Sequence, residues 1–136
     1  MINSSATSAI KRAQKESLLL REISTMFHSI TMEDNRLLPL FVNRVELSTD
    51  KGWVTIYFYT LDGYEKFAEL LEILKLYKPS MRKALSQGVR GRYVPDLRFE
   101  YDSKFEKQQR LELAMAQAAQ EVEKYENLKR NKNEDV

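Results

Sequence analysis

Cysteine is absent from this 136-residue chain, which excludes disulfide bridges and thiolate metal centres outright. Histidine occurs once, at His28, inside a helical pattern, and a lone imidazole has nothing nearby with which to hold a metal or relay a proton. Glycine is scarce, and the chain has no phosphate loop ending in Gly-Lys-Ser/Thr and no strand followed by a glycine-rich dinucleotide turn. Carboxylates are plentiful, but they fall on the solvated faces of helices rather than in a pair set for acid-base work. The expectation is a protein that is not an enzyme and has no cofactor, no metal and no small-molecule substrate. Nowhere do eighteen apolar residues run together, so no membrane span is expected. The segment from Met1 to Ala9 is Ser-rich and polar, unlike the apolar core of a signal peptide. A cytoplasmic, monomeric protein follows as an expectation.

What is present is ordinary globular material, 43% hydrophobic and 31% charged. That length makes one domain, burying about 65% of its unfolded surface and so able to form a core without staples. The formal charge is only +2, a total that says little about partners. Its distribution says more. Between Lys75 and Arg98 stand Lys75, Lys78, Arg82, Lys83, Arg90, Arg92 and Arg98 against one acid, Asp96. The stretch Asp62 to Glu72 holds Asp62, Glu65, Glu69 and Glu72 against one lysine, Lys66. Charge is therefore segregated along the chain, and the basic block is a candidate electrostatic footprint.

Periodicity supplies the elements. Leu19, Ile23, Met26, Phe27 and Ile30 recur at three- and four-residue steps, one face of a helix over about residues 9–30. Pro39 closes the polar break after it. Val45 and Leu47 alternate with Arg44 and Glu46 in a strand over 41–47, and Trp53 to Thr60 is almost wholly β-branched and aromatic. Between them Ser48 to Gly52 reads as a hairpin turn with Gly52 free to take positive φ. Asp62 three residues before Glu65 reads as a capping box opening a second helix, with Phe67, Leu70, Leu71 and Leu74 as its buried stripe. Pro79, after Tyr77 and Lys78, removes a backbone donor, so that helix must bend or stop there before Met81, Ala84 and Leu85 resume the pattern. Leu97, Phe99 and Tyr101 alternate in a third strand. Residues 103–136 are charged and Ala-rich, with a thin apolar face of Leu111, Met115, Val122 and Tyr125 and an end from Asn127 that reads as solvated and mobile. The domains expected are a flexible 1–8, an α-β-β-α-kink-α-β domain over 9–102, and a helical or disordered extension over 103–136. Helices on one face of a three-stranded sheet make a two-layer α+β fold.

Two features invite a stronger reading. Gly88-Val89-Arg90-Gly91 has the form of the loop with which KH domains clamp a nucleic-acid backbone. In KH domains, however, the loop joins the paired helices, whereas here that junction is Tyr77-Lys78-Pro79; the string reads as a helix end stopped by Gly88. Trp53, Tyr57 and Tyr59 face one side of the second strand and could stack bases, though such aromatics more often lie against a neighbouring segment. The basic block centres on the bend, where free backbone N–H groups near Pro79 and Ser80 would join Lys78, Arg82 and Lys83 in a phosphate site.

Arg44-Val45-Glu46-Leu47-Ser48-Thr49-Asp50 and the aromatic strand after it resemble the first hairpin of the bacterial ribosome-binding factor A family. Gly91-Arg92-Tyr93-Val94-Pro95-Asp96-Leu97-Arg98-Phe99-Glu100-Tyr101-Asp102 resembles that family's closing signature. The order of elements agrees from about Ala9 to Arg110. The resemblance implies a type II KH-like fold without the glycine loop, and a factor that binds the small ribosomal subunit and assists late maturation of 16S rRNA, including its 5′ end, with a link to growth in the cold. Family members bend the paired helices at an Ala-x-Gly string; here Tyr77, Lys78 and Pro79 stand at those positions. The expected partner is the free small subunit, bound through Lys75, Lys78, Arg82, Lys83, Arg90, Arg92 and Arg98. The competing class is a protein-interaction module acting through the C-terminal helix.

Overall fold

The computed structural model describes residues 4–88 and 94–134. They form α1 (Ser4–Glu33), a 3-10 turn (Asn35–Leu37), β1 (Phe41–Leu47), β2 (Trp53–Tyr59), α2 (Tyr64–Leu76), α3 (Lys78–Gly88), β3 (Asp96–Tyr101) and α4 (Ser103–Glu134). The chain divides into two compact units, Met1–Asp102 and Ser103–Val136.

The sheet of the first unit is mixed, in the order β1-β2-β3. β1 and β2 are antiparallel neighbours and β3 runs parallel to β2. Strand alternation decides the core: Val54, Ile56 and Phe58 are fully buried, and Val45, Leu47 and Leu97 join them on the same face. Ile23, Phe27 and Ile30 of α1, Phe67, Leu70 and Leu74 of α2, and Met81 and Leu85 of α3 close the same core. Phe58 is its hub, with ring centroids 5.3 Å from Phe27, 6.2 Å from Phe67 and 5.7 Å from Phe99. All three helices thus serve one face, an α+β arrangement of two layers.

Several local readings of the sequence are corrected. β1 carries a bulge between Val42 and Arg44, and the extra residue, Asn43, sends its amide to the buried Asp102 at 3.0 Å. In the β1–β2 turn it is Lys51, at φ 60°, that takes the left-handed conformation. A Cβ on Gly52 would make a tight approach, 3.3 Å, to the Asp50 carboxylate, which accepts from the Ser48 hydroxyl and the Gly52 N–H. The helix α2 has no capping box. Its N-cap is Gly63, at φ 85° and ψ −177°, with no side-chain cap, and Asp62 lies one residue too early. That backbone region is essentially closed to residues with a Cβ, so the turn selects glycine over a capping carboxylate. α1 runs longer than its apolar stripe, and Glu16 on it accepts from the Leu47 N–H at the end of β1.

In the second unit α4 continues to Glu134, so the residues from Asn127 that read as mobile extend the helix instead. The stretch lacks glycine and proline, is rich in alanine, and carries an Arg110–Glu106 pair at 2.8 Å one turn apart. Leu111, Met115, Val122 and Tyr125 are exposed on it.

Candidate nucleic-acid interface

The bend between α2 and α3 is built by a short run of residues. Tyr77 closes α2 with φ −89° and ψ −6°, and its N–H returns to the Leu74 carbonyl. Lys78 opens α3, so Pro79 falls in a first helical turn, where a missing N–H leaves no gap in the ladder. The Met81 N–H bonds to the Tyr77 carbonyl at 2.9 Å, making Tyr77 the hinge between the two helices. Met81 and Leu85 are buried, which fixes the rotation of α3 and turns Lys83 to the solvent side. Lys78 and Arg82, four residues apart, share the flank that runs beside β3. The Lys78 ammonium lies 5.8 Å from the Phe99 ring centroid, and the Arg82 guanidinium lies 3.9 Å from the Asp96 carboxylate. Lys75, near the end of α2, pairs with Glu72 at 3.2 Å.

Lys75, Lys78, Arg82 and Lys83 therefore gather along the bent helix pair. Lys83 makes no ion pair among the described residues, while Lys75 and Arg82 are in open, solvent-screened pairs that a phosphate can displace at little cost. Arg98 stands elsewhere. It projects from β3 onto the sheet face that the helices leave open, its guanidinium carbon 4.2 Å from the Trp53 ring centroid. Arg90 and Arg92, with the Val89-Arg90-Gly91 part of the glycine string, lie outside the described residues, and α3 ends at Gly88.

The open sheet face is occupied by its own charges. Arg44 covers Tyr57 at 3.9 Å and is held to Asp102 at 3.3 Å and to Glu46 at 3.6 Å. The Tyr57 hydroxyl donates to Glu46, and burial together with that carboxylate pushes the phenol up from its ordinary value. Trp53 and Tyr57 thus have a guanidinium over each ring, and Glu46 and Asp102 offset Arg44. This face is a poorer place for a phosphate chain than the helix pair.

One feature escaped sequence reasoning. Asp34, buried between α1 and the 3-10 turn, receives the Tyr77 hydroxyl at 2.7 Å. Arg36 grips the same carboxylate with Nε at 2.8 Å and Nη2 at 2.6 Å. The guanidinium, and then the phenol, hold the Asp34 carboxyl well below the usual carboxylate range. Nothing in the local sequence joins residues 34 and 77; only an aspartate before a helix-like turn hints at a cap. Elsewhere, His28 is exposed on α1, and no group of three or more His, Cys, Asp or Glu converges among the described residues. Among them, too, no helix is long and apolar enough to cross a membrane.

A family model described as ribosome-binding factor A matches residues 11–115. The chain belongs to the ribosome-binding factor A family. A family member from Acidithiobacillus ferrooxidans is 28% identical over 109 residues, 79% of this chain and 85% of that protein. One from Chlorobaculum parvum is 30% identical over 106 residues, 76% of this chain and 87% of the relative. The crystal structure of ribosome-binding factor A from Thermus thermophilus aligns with a TM-score of 0.57 at 29% identity, over 66% of this chain and 93% of the other. A Thermus thermophilus ribosome-binding factor A model, fitted into a cryo-electron-microscopy map of a complex with the 30S subunit, aligns with a TM-score of 0.50 at 30% identity, over 62% and 87% of the two chains. Membership fits the mixed α+β fold.

Proposed function

We propose that this chain is a non-catalytic assembly factor of the cytoplasm that docks on the free small ribosomal subunit. In this reading it contacts 16S rRNA through the bent helix pair, with a KH-like use of the fold, and assists late maturation of that rRNA, including its 5′ end. One observation carries the site: Lys78, Arg82 and Lys83 lie within the first two turns of α3, just past the bend, with Lys75 just before it on α2, and Lys75, Arg82 and Lys83 are exposed on helices whose other side is core. Family membership supports the partner, because a relative of the same fold has been fitted into a map of its complex with the 30S subunit. Phosphate neutralisation by exposed cations supplies affinity without reading sequence, which suits docking on structured rRNA. Arg90 and Arg92 belong to the same proposed set, and Arg98 would contact a different part of the subunit from the opposite sheet face. The test is co-sedimentation of Arg82→Ala/Lys83→Ala with free small subunits. Binding weakened about tenfold or more supports the surface, since each substitution removes one charged contact. Binding equal to the parent's would place the interface elsewhere.

A second reading, a protein-interaction module acting through α4, is favoured by the exposed row Leu111, Met115, Val122 and Tyr125. Removing the chain after Arg110 separates the two.

A further inference from the structure

The backbone fixes the direction of α3 only in part. The Met81 N–H reaches the Tyr77 carbonyl, and the ladder within α3 is complete, but Pro79 offers no N–H to the Lys75 carbonyl four residues back, so one bond between the two helices is missing. The rest must come from side chains. Met81 and Leu85 hold α3 to the core and set its rotation, but apolar contacts are non-directional and do not by themselves set the angle at the bend. The directional contact is the Tyr77 hydroxyl on Asp34.

Asp34 is a well-fixed post. Its own N–H bonds to the Ile30 carbonyl at 2.8 Å, its Oδ1 caps the 3-10 turn through the Arg36 N–H at 3.2 Å, and Arg36 holds both carboxylate oxygens. A charged acceptor makes the phenol bond shorter and stronger than a neutral one would. The Tyr77 ring is half-buried against the core, so the hydroxyl has one place to go. We infer that Tyr77 is a positioning residue: its bond to Asp34 ties the hinge to the α1 end and aims the cations of α3, Lys78, Arg82 and Lys83, as one set. An alanine at position 77 would have no atom able to make this bond, so the device depends on the tyrosine that stands here. This inference rests on the rRNA-docking reading above.

The experiment uses the full chain with Tyr77→Phe, which keeps the ring and removes only the hydroxyl, in the parent and in the Arg82→Ala/Lys83→Ala background. If the lost bond leaves α3 correctly aimed about a fifth of the time, subunit affinity falls about fivefold. That loss is expected in the parent background and is expected to shrink to less than about twofold in the charge-deleted one, because an unaimed helix without its charges has little left to lose. Amide hydrogen exchange on the free protein is expected to quicken in α3 while the β2 strand keeps its protection. Asp34→Asn, which retains one oxygen acceptor, serves as a milder second variant with the same pattern. An equal affinity loss in both backgrounds, or unchanged exchange in α3, overturns the inference. Should the charge-deleted parent bind as well as the intact one, the docking reading fails by itself, and the exchange measurement still decides whether Tyr77 holds the hinge.

Discussion

Removing charge from the bent helix pair must change how binding responds to salt, and by a calculable amount. Lys75, Lys78, Arg82 and Lys83 are the described cations on this surface. If each neutralises one phosphate, log affinity falls against log salt with a slope of about −2.8 to −3.6, at 0.7 to 0.9 per contact. Between 50 and 200 mM salt that is a loss of roughly 50- to 150-fold. With Arg82 and Lys83 replaced by alanine the slope becomes about −1.4 to −1.8 and the same change in salt costs only roughly sevenfold to twelvefold. The pairs already made by Arg82 with Asp96 and by Lys75 with Glu72 subtract little, because open ion pairs of this kind are worth about 0 to 1 kcal/mol. The assay is co-sedimentation with free small subunits over a salt series at fixed pH. Arg90 and Arg92, if they join, steepen both slopes by the same amount and leave the difference between them intact. Parallel lines for the two proteins, offset or not, would refute the reasoning, since removing phosphate contacts must release fewer counterions.

Other outcomes follow from the same structure. Phe58→Ala empties the hub of the ring cluster and should cost about 3 to 5 kcal/mol in urea unfolding, and a cost below about 1 kcal/mol would show that Phe27, Phe67 and Phe99 do not depend on it. For Asp34 the folded carboxyl lies below its unfolded value, so its contribution is full above about pH 4 and is lost as pH falls further, through the depressed folded value. The thermal midpoint should therefore hold steady from neutral pH to about pH 5 and drop below about pH 4, more steeply in the parent than in Asp34→Asn; equal acid profiles would contradict the Arg36–Asp34–Tyr77 arrangement. Truncation after Arg110 should leave subunit binding within about twofold, since the described cations of the proposed site lie between Lys75 and Arg98. A folded, truncated chain that no longer sediments with subunits would move the interface to α4.

Much of the fold was legible because its signals are local. Val54, Ile56 and Phe58 alternate with Trp53, Thr55 and Tyr57, and one face is buried as a period of two requires. Pro79 marked the hinge because a proline cannot continue a ladder from the preceding turn. What escaped the sequence depends on contacts distant in the chain or on backbone preferences that composition does not reveal. Asp34 and Tyr77 are 43 residues apart, and no period links them. Asp62 had the spacing of a cap, but the α2 turn needed a conformation that only Gly63 supplies. Positive φ fell to Lys51 and not to Gly52, a choice of turn geometry that residue composition does not reveal. The candidate site was half legible: charge segregation singled out Lys78, Arg82 and Lys83, but grouping Arg98 with them by position in the chain overlooked what the alternation of Leu97, Phe99 and Tyr101 already implied, that Arg98 points to the other face of the sheet.

The central claim is that this chain recognises the free small subunit through cations on α2 and α3. Its most direct measurement is sedimentation of the intact protein, at several salt concentrations, with free small subunits, complete ribosomes and naked 16S rRNA in parallel. The account predicts salt-sensitive binding to free subunits that outlasts binding to naked rRNA as salt rises, and little binding to complete ribosomes. Indifference among the three, or binding to free subunits that salt leaves untouched, would contradict it.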